Sequence, residues 1–262
     1  MRTLLTDLTK DEIAALPALA GQPRYRAKQL YDRVVSGIPF SEMTDLPAAL
    51  RDKLAEECDS SGAEIARSVS AKDGTVKFLF RLRDGELIEG VLMKYKYGRT
   101  LCVSTQVGCR MGCAFCASGR DGLVRDLSAG EMLSELICAN RFLGTERVGN
   151  VVLMGSGEPL DNYENVTKFI RLMSADGLIG QRSVSLSTCG LTDGIRQLAD
   201  DGFSVTLCLS LHSAFDDKRV KIMPTAKKYK LSDIMDAAKY YFEKSGRRII
   251  VEYAMMHGFN TG

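Results

Sequence analysis

Residues 106–119 read QVGCRMGCAFCASG and place Cys109, Cys113 and Cys116 within eight positions. A disulfide uses two cysteines, and a structural zinc site uses four ligands. Three thiolates suit a different centre. Soft sulfur ligands favour iron–sulfur clusters, and three of them can hold three irons of a [4Fe–4S] cubane. The fourth iron then stays open to an amine and a carboxylate, the pair that S-adenosylmethionine carries. An electron from such a cluster can cleave the sulfonium carbon–sulfur bond homolytically. Two plainer alternatives stay open at this point. Zinc would need a fourth ligand, but only His212 and His257 are available as histidines and no second cysteine pair has ligand spacing. A packing cluster would have to bury three thiols on a small polar loop.

The elements that must carry this loop follow from the patterning. The chain has 262 residues, 45% of them hydrophobic and 26% charged, with a formal net charge of +2. That composition is ordinary for a folded globular chain, and a charge near zero points to no partner by itself. MRTLLTDLTKDEI lacks the apolar core of a secretory signal, and no run is long enough to span a membrane, so a cytoplasmic location is expected. Thiols stay reduced there, so the eight cysteines read first as metal, catalytic or packing residues.

Residues 1–60 predict a small helical domain. Thr9 and Glu12 fit a capping box. Ala27, Leu30, Tyr31 and Val34 recur on one helical face, and Pro47 opens a helix running toward Cys58. Residues 61–99 predict a β-hairpin linker, with Val76, Phe78, Phe80 and Leu82 alternating before the Asp84-Gly85 turn. From residue 100 to 262, strands alternate with helices: TLCVSTQV, NVVLMG, RSVSLST, SVTLCLSL and RRIIVEYAMM are the strands. Five such repeats imply parallel βαβ units forming part of a barrel, with the chemistry at the C-terminal strand ends. A doubly wound sheet is the alternative. Ser128 and Glu131 can cap the first helix of this array.

The C-x3-C-x2-C spacing, with Phe115 before the third cysteine, resembles the radical SAM superfamily. Further stretches are similar to its RlmN/Cfr branch of RNA adenine methyltransferases: TLCVSTQVGC, VVLMGSGEPLDN, SLSTCG, SLHSAFDDKR and RRIIVEYAMMHGFN. QPRYRAKQLYDRV and KDGTVKFLFRLRDGELIEGVLM resemble that branch's N-terminal accessory region, so the likeness covers nearly the whole chain. It implies an α/β fold: a partial (βα) radical SAM barrel with about five of six units, a small N-terminal helical domain and a β-hairpin linker.

The resemblance also assigns roles. Cys109, Cys113 and Cys116 would hold a [4Fe–4S] cluster, and Phe115 would lie near the adenine of S-adenosylmethionine. Gly157 and Glu158 would meet its methionine end; glycine permits close backbone approach and a carboxylate suits an ammonium. Ser187, Ser210, Leu211 and His212 would line the same pocket. Cys102 would be a second reactive thiol that helps release a covalent RNA adduct and leaves a disulfide. Glu89 would accept a proton. Taken alone, Glu89 reads as a solvent-facing ribbon residue and Cys102 as strand packing. Cys58, Cys138, Cys189 and Cys208 match no functional position and read as packing.

The implied reaction is methylation of adenine carbon 2 in 23S ribosomal RNA and transfer RNA. One cofactor molecule methylates a cysteine near the C-terminus, and a second yields the radical that activates this methyl group. No cysteine follows Cys208, so the expectation is a C-terminally truncated chain, inactive in methyl transfer by itself. An electron donor such as a flavodoxin or ferredoxin is implied, and a monomer is expected. RNA contact is expected at 218–230, KRVKIMPTAKKYK, with further basic clusters at KYKYGR and RYRAK. Two alternatives are methylation at carbon 8, as in Cfr-type members, and an inactive iron–sulfur RNA-binding protein.

Overall fold

Both predicted capping boxes form. Thr9 Oγ1 accepts the Glu12 N–H while Glu12 Oε2 accepts the Thr9 N–H, and Ser128 and Glu131 do the same. Each satisfies helix donors that would otherwise lack partners. The computed structural model describes residues 2–175 and 177–261. The chain divides into two compact units, Met1–Leu101 with Ser128–Val148, and Cys102–Leu127 with Gly149–Gly262.

In the first unit, β1 (Thr3–Leu4) pairs in parallel with β2 (Cys58–Asp59). Between them lie α1 (Lys10–Ala14), α2 (Tyr25–Val35) and α3 (Ala48–Glu57). Leu30, Tyr31 and Val34 of α2 point into one core with Leu5, Ile13, Met43 and Leu54, and Ala27 packs against it. A run of four neighbouring strands follows: β3 (Ala63–Ser70), β4 (Val76–Leu82), β5 (Leu87–Tyr95) and β6 (Gly98–Cys102). On β4 the residues Val76, Phe78, Phe80 and Leu82 are buried and alternate with Lys77, Leu79 and Arg81. Gly85, at φ +92°, makes the turn into β5 that Asp84-Gly85 predicts. Helix α4 (Ala129–Leu143) packs on β3.

The sequence reading of residues 61–99 finds the β4–β5 hairpin but not β3. Only Ala63 of β3 is buried. A strand that hides one side chain has little hydrophobic alternation to read.

The second unit begins with the ribbon β7 (Gln106–Gly108) and β8 (Leu123–Asp126), antiparallel to each other. Then come β9 (Val148–Leu153), α5 (Tyr163–Ala175), β10 (Val184–Thr188), α6 (Thr192–Asp200), β11 (Thr206–Ser210), α7 (Asp216–Ile222), α8 (Leu231–Ser245) and β12 (Ile249–Glu252). The strands β9, β10, β11 and β12 pair in parallel in chain order. Val103 continues the ladder beyond β9, donating to Val152 O and accepting from Gly155 N. The architecture is therefore the expected α/β one, a wall of parallel strands with crossover helices. Val166, Phe169, Ile170 and Met173 of α5 are fully buried, as are Ile234, Ala237, Ala238 and Tyr241 of α8.

Strand β12 is shorter than its sequence suggests. Beyond Glu252 the backbone leaves the ladder: Ala254 N donates to His212 Nδ1, and Met256 N to Asn260 Oδ1. Side chains thus take over the amides that a longer strand would spend on its neighbour. Among the described residues no helix is long and apolar enough to cross a membrane.

Candidate active site

The cysteine loop is fixed at its base by the β7–β8 ribbon. Cys109 N donates to Gly122 O at 2.9 Å. Gly108 has φ +77°, and a Cβ there would lie 2.0 Å from Gly122 O, so only glycine fits the crossing. Ala114 N donates to Ile222 O, tying the middle of the loop to the end of α7.

Cys109, Cys113 and Cys116 line one cavity of about 200 Å3, together with Phe115, Glu158, Ser187, Ser210, His212 and Glu252. Cys109 is buried, Cys113 half-buried and Cys116 exposed. Burial pushes the Cys113 thiol up to about 11, and the neighbouring Cys109 and Cys116 add to the shift. Burial likewise raises Cys109. Metal binding here must therefore displace protons.

Glu158 forms one wall at 4% exposure. Its Oε1 accepts from Leu160 N and its Oε2 from Cys189 N at 2.8 Å. Burial pushes this carboxyl up, while those amides and the Thr188 hydroxyl pull it back. The preceding Gly157 has φ +108°, and a Cβ there would meet Thr105 Oγ1 at 2.6 Å and Gln106 Cβ at 2.7 Å. Gln106 braces the turn: its Oε1 accepts Glu158 N, and its Nε2 donates to Asp126 Oδ1 and Asp161 Oδ2.

The opposite wall is a row across three strand ends. Ser187 on β10 and Ser210 on β11 lie 3.2 Å apart, and both hydroxyls donate to Oε2 of Glu252 on β12, at 2.8 and 3.3 Å. His212 follows in the left-handed region at φ 54°, uncommon for a residue with a side chain. Its Nδ1 accepts from Ala254 N, so the proton of the neutral ring sits on Nε2. Burial lowers its pKa, and its ring meets Phe115 edge-on at 4.7 Å.

Of the residues singled out by sequence, Cys109, Cys113, Cys116, Phe115, Gly157, Glu158, Ser187, Ser210 and His212 meet at this cavity. Leu211 contributes backbone rather than lining: its N–H donates to Glu252 O and its carbonyl accepts from Arg219 Nε. Cys102 lies at the end of β6 and does not line the cavity. Glu89 lies on the exposed face of β5, paired with Lys77 at 2.7 Å. Glu252 and Cys189 line the cavity although sequence reasoning gave neither a part there. A glutamate ending an apolar strand, Ile249–Glu252, was the available signal for the first. None of the eight cysteines forms a disulfide, so the disulfide implied by the resemblance is not supported.

Residues 103–261 match the radical SAM superfamily. The chain is 50% identical over 265 residues to the "Probable dual-specificity RNA methyltransferase RlmN" of Clostridium perfringens, covering 99% of this chain and 76% of that protein. The protein of the same name from Lachnoclostridium phytofermentans is 50% identical, with 97% and 72% covered. A solved radical SAM methyltransferase from Sphaerobacter thermophilus superposes with a TM-score of 0.95 at 38% identity, over 99% of this chain and 78% of that one. The chain belongs to the radical SAM superfamily, in its RlmN branch.

Radical SAM membership implies a [4Fe–4S] cluster and S-adenosylmethionine, and the residues fit both. The cavity offers three soft thiol donors on one loop. Among the described residues no three His, Cys, Asp or Glu side chains converge on a single ion. The carboxylate of Glu158 and the hydroxyl row of Ser187 and Ser210 supply the polar complement for an amino acid and a ribose.

Proposed function

We propose that this chain acts in radical methyl transfer to carbon 2 of adenine, in 23S ribosomal RNA and transfer RNA. The observation that carries the reading is the convergence of Cys109, Cys113 and Cys116 with Glu158 and the Ser187–Ser210–Glu252 row on one cavity. The likeness to RlmN proteins supports RNA as the substrate. When bound, the cluster and S-adenosylmethionine supply a carbon radical after one-electron reduction by a donor such as a flavodoxin or ferredoxin.

The chain's own residues bind and orient. Cys109, Cys113 and Cys116 would hold the cluster, three thiolates for four irons. Glu158, held in place by two backbone amides, would meet the ammonium. Ser187 and Ser210, fixed by Glu252, present oxygen to ribose hydroxyls. His212 and Phe115 shape the adenine side. With a methyl-carrying cysteine supplied, Glu89 would take up the proton lost from carbon 2, and Cys102 would form a disulfide with that cysteine as the carbon–sulfur bond of the RNA adduct breaks. The family's methyl-carrying cysteine has no counterpart among these 262 residues, whose last cysteine is Cys208.

The test is anaerobic reconstitution with iron and sulfide, followed by S-adenosylmethionine, reductant and RNA. Expected are about four irons per chain and release of 5′-deoxyadenosine, without methyladenosine from residues 1–262 alone. Full iron loading with no cofactor cleavage would reduce the protein to an iron–sulfur RNA binder. Any methyladenosine would refute that inactivity, and a methyl on carbon 8 would overturn the carbon 2 assignment as well.

A further inference from the structure

Strands β5 and β6 are joined by the two residues Lys96 and Tyr97. Tyr95 ends β5 and Tyr97 follows in the turn. Their rings stack 5.0 Å apart and 8° from parallel. Neither is hidden: Tyr95 is 44% and Tyr97 72% exposed. A tyrosine pair serving only to staple the hairpin would bury its outer ring against the sheet. Here the outer ring is the more exposed one.

The surroundings are basic. Arg99 donates to Gly74 O and to Glu146, so the segments 71–75, 94–99 and 144–147 meet at it. Those segments carry Lys72, Lys94, Lys96, Arg99 and Arg147 against Asp73 and Glu146. Glu146 is already paired with Arg99 at 2.7 Å. Asp73 caps its own turn through Thr75 N.

In the other basic stretches some of the cations are committed to the fold. Arg219, within 218–230, is 1% exposed and holds the carbonyls of Leu211, Tyr229 and Cys189. In RYRAK, Arg26 is bound to Gln29 and Asp45 O, and Lys28 to Asp32.

We propose that the β5–β6 tip is a stacking platform for an unpaired RNA base, with Tyr97 as the receiving face and Lys94 and Lys96 meeting the flanking phosphates. The proposal rests on the RNA reading above and specifies the recognition: single-stranded, tolerant of base identity, because every base has a π-face. Helical RNA, whose bases are already stacked, gains nothing from an open ring.

The test measures anisotropy of a labelled, unstructured RNA of roughly 12 nucleotides, a length within the range such folds cover, and of a duplex of equal length. Tyr97→Ala should weaken single-strand binding by about five- to a hundredfold and leave duplex binding and the melting temperature unchanged. Tyr97→Trp should retain single-strand binding. Lys94→Ala with Lys96→Ala should weaken both probes and reduce the salt dependence of log K by about 1.4 units for the single strand and about 1.8 for the duplex. A wild-type chain that binds neither RNA would remove the RNA reading itself. Wild-type binding that Tyr97→Ala leaves intact, or weakens equally for duplex and single strand, would overturn the platform alone.

Discussion

Glu158 and Glu89 are both carboxylates with proposed roles, and the two units hold them in opposite ways. Glu158 is 4% exposed, and each of its oxygens accepts a backbone N–H. The side chain of Glu89 is 59% exposed and meets Lys77, itself 55% exposed. The first position is dictated by the course of the main chain, through the turn that Gly157 permits and Gln106 braces. The second is set by an ion pair in water, which contributes little and fixes little. The cavity is therefore built to hold a ligand in one place. A residue on the exposed ribbon matters only through what reaches it.

The sharpest way to break this contrast is at the cavity's own ligands. Replacing Cys109, Cys113 and Cys116 together by alanine should take iron from about four per chain to near none and abolish the thiolate-to-iron charge-transfer absorption. Retention of iron would move the cluster elsewhere. The next effect is smaller. Glu158→Gln turns an amide NH2 toward one of the two N–H donors, leaving a buried donor unsatisfied at a cost of about 2 kcal/mol. Urea unfolding should show that loss, and calorimetry should show weaker S-adenosylmethionine binding by about tenfold. The smallest effect belongs to the ribbon. Glu89→Gln should change stability by about 0.5 kcal/mol or less and leave both iron loading and cofactor binding unchanged. Loss of iron or of cofactor binding in that variant would break the contrast between ribbon and cavity.

What the sequence made legible was what neighbouring residues decide among themselves. The cysteine spacing, both capping boxes and the buried faces of α2, α5 and α8 are local patterns, and each is present in the fold. What it hid depends on distant partners. β3 buries only Ala63, so its alternation is faint. Arg219 lies in a run of cations that looks like a solvated patch, yet three carbonyls from separate segments draw it inside. Glu252 reads as a polar strand end until Ser187 and Ser210 arrive from two other strands. Cys189 resembles any buried thiol, and its place beside Glu158 comes from a backbone contact spanning 31 residues.

The crossing of Gly108 over Gly122 bears on how the metal centre assembles. The run from Cys109 to Gly122 is already cyclised by its own main chain, so most of its ring-closure entropy is lost at folding rather than when iron arrives. Incoming metal meets a tethered hoop whose ends cannot drift apart. Widening that knot by a single methyl group at Gly108 would leave every thiol in the sequence and still let the hoop fall open.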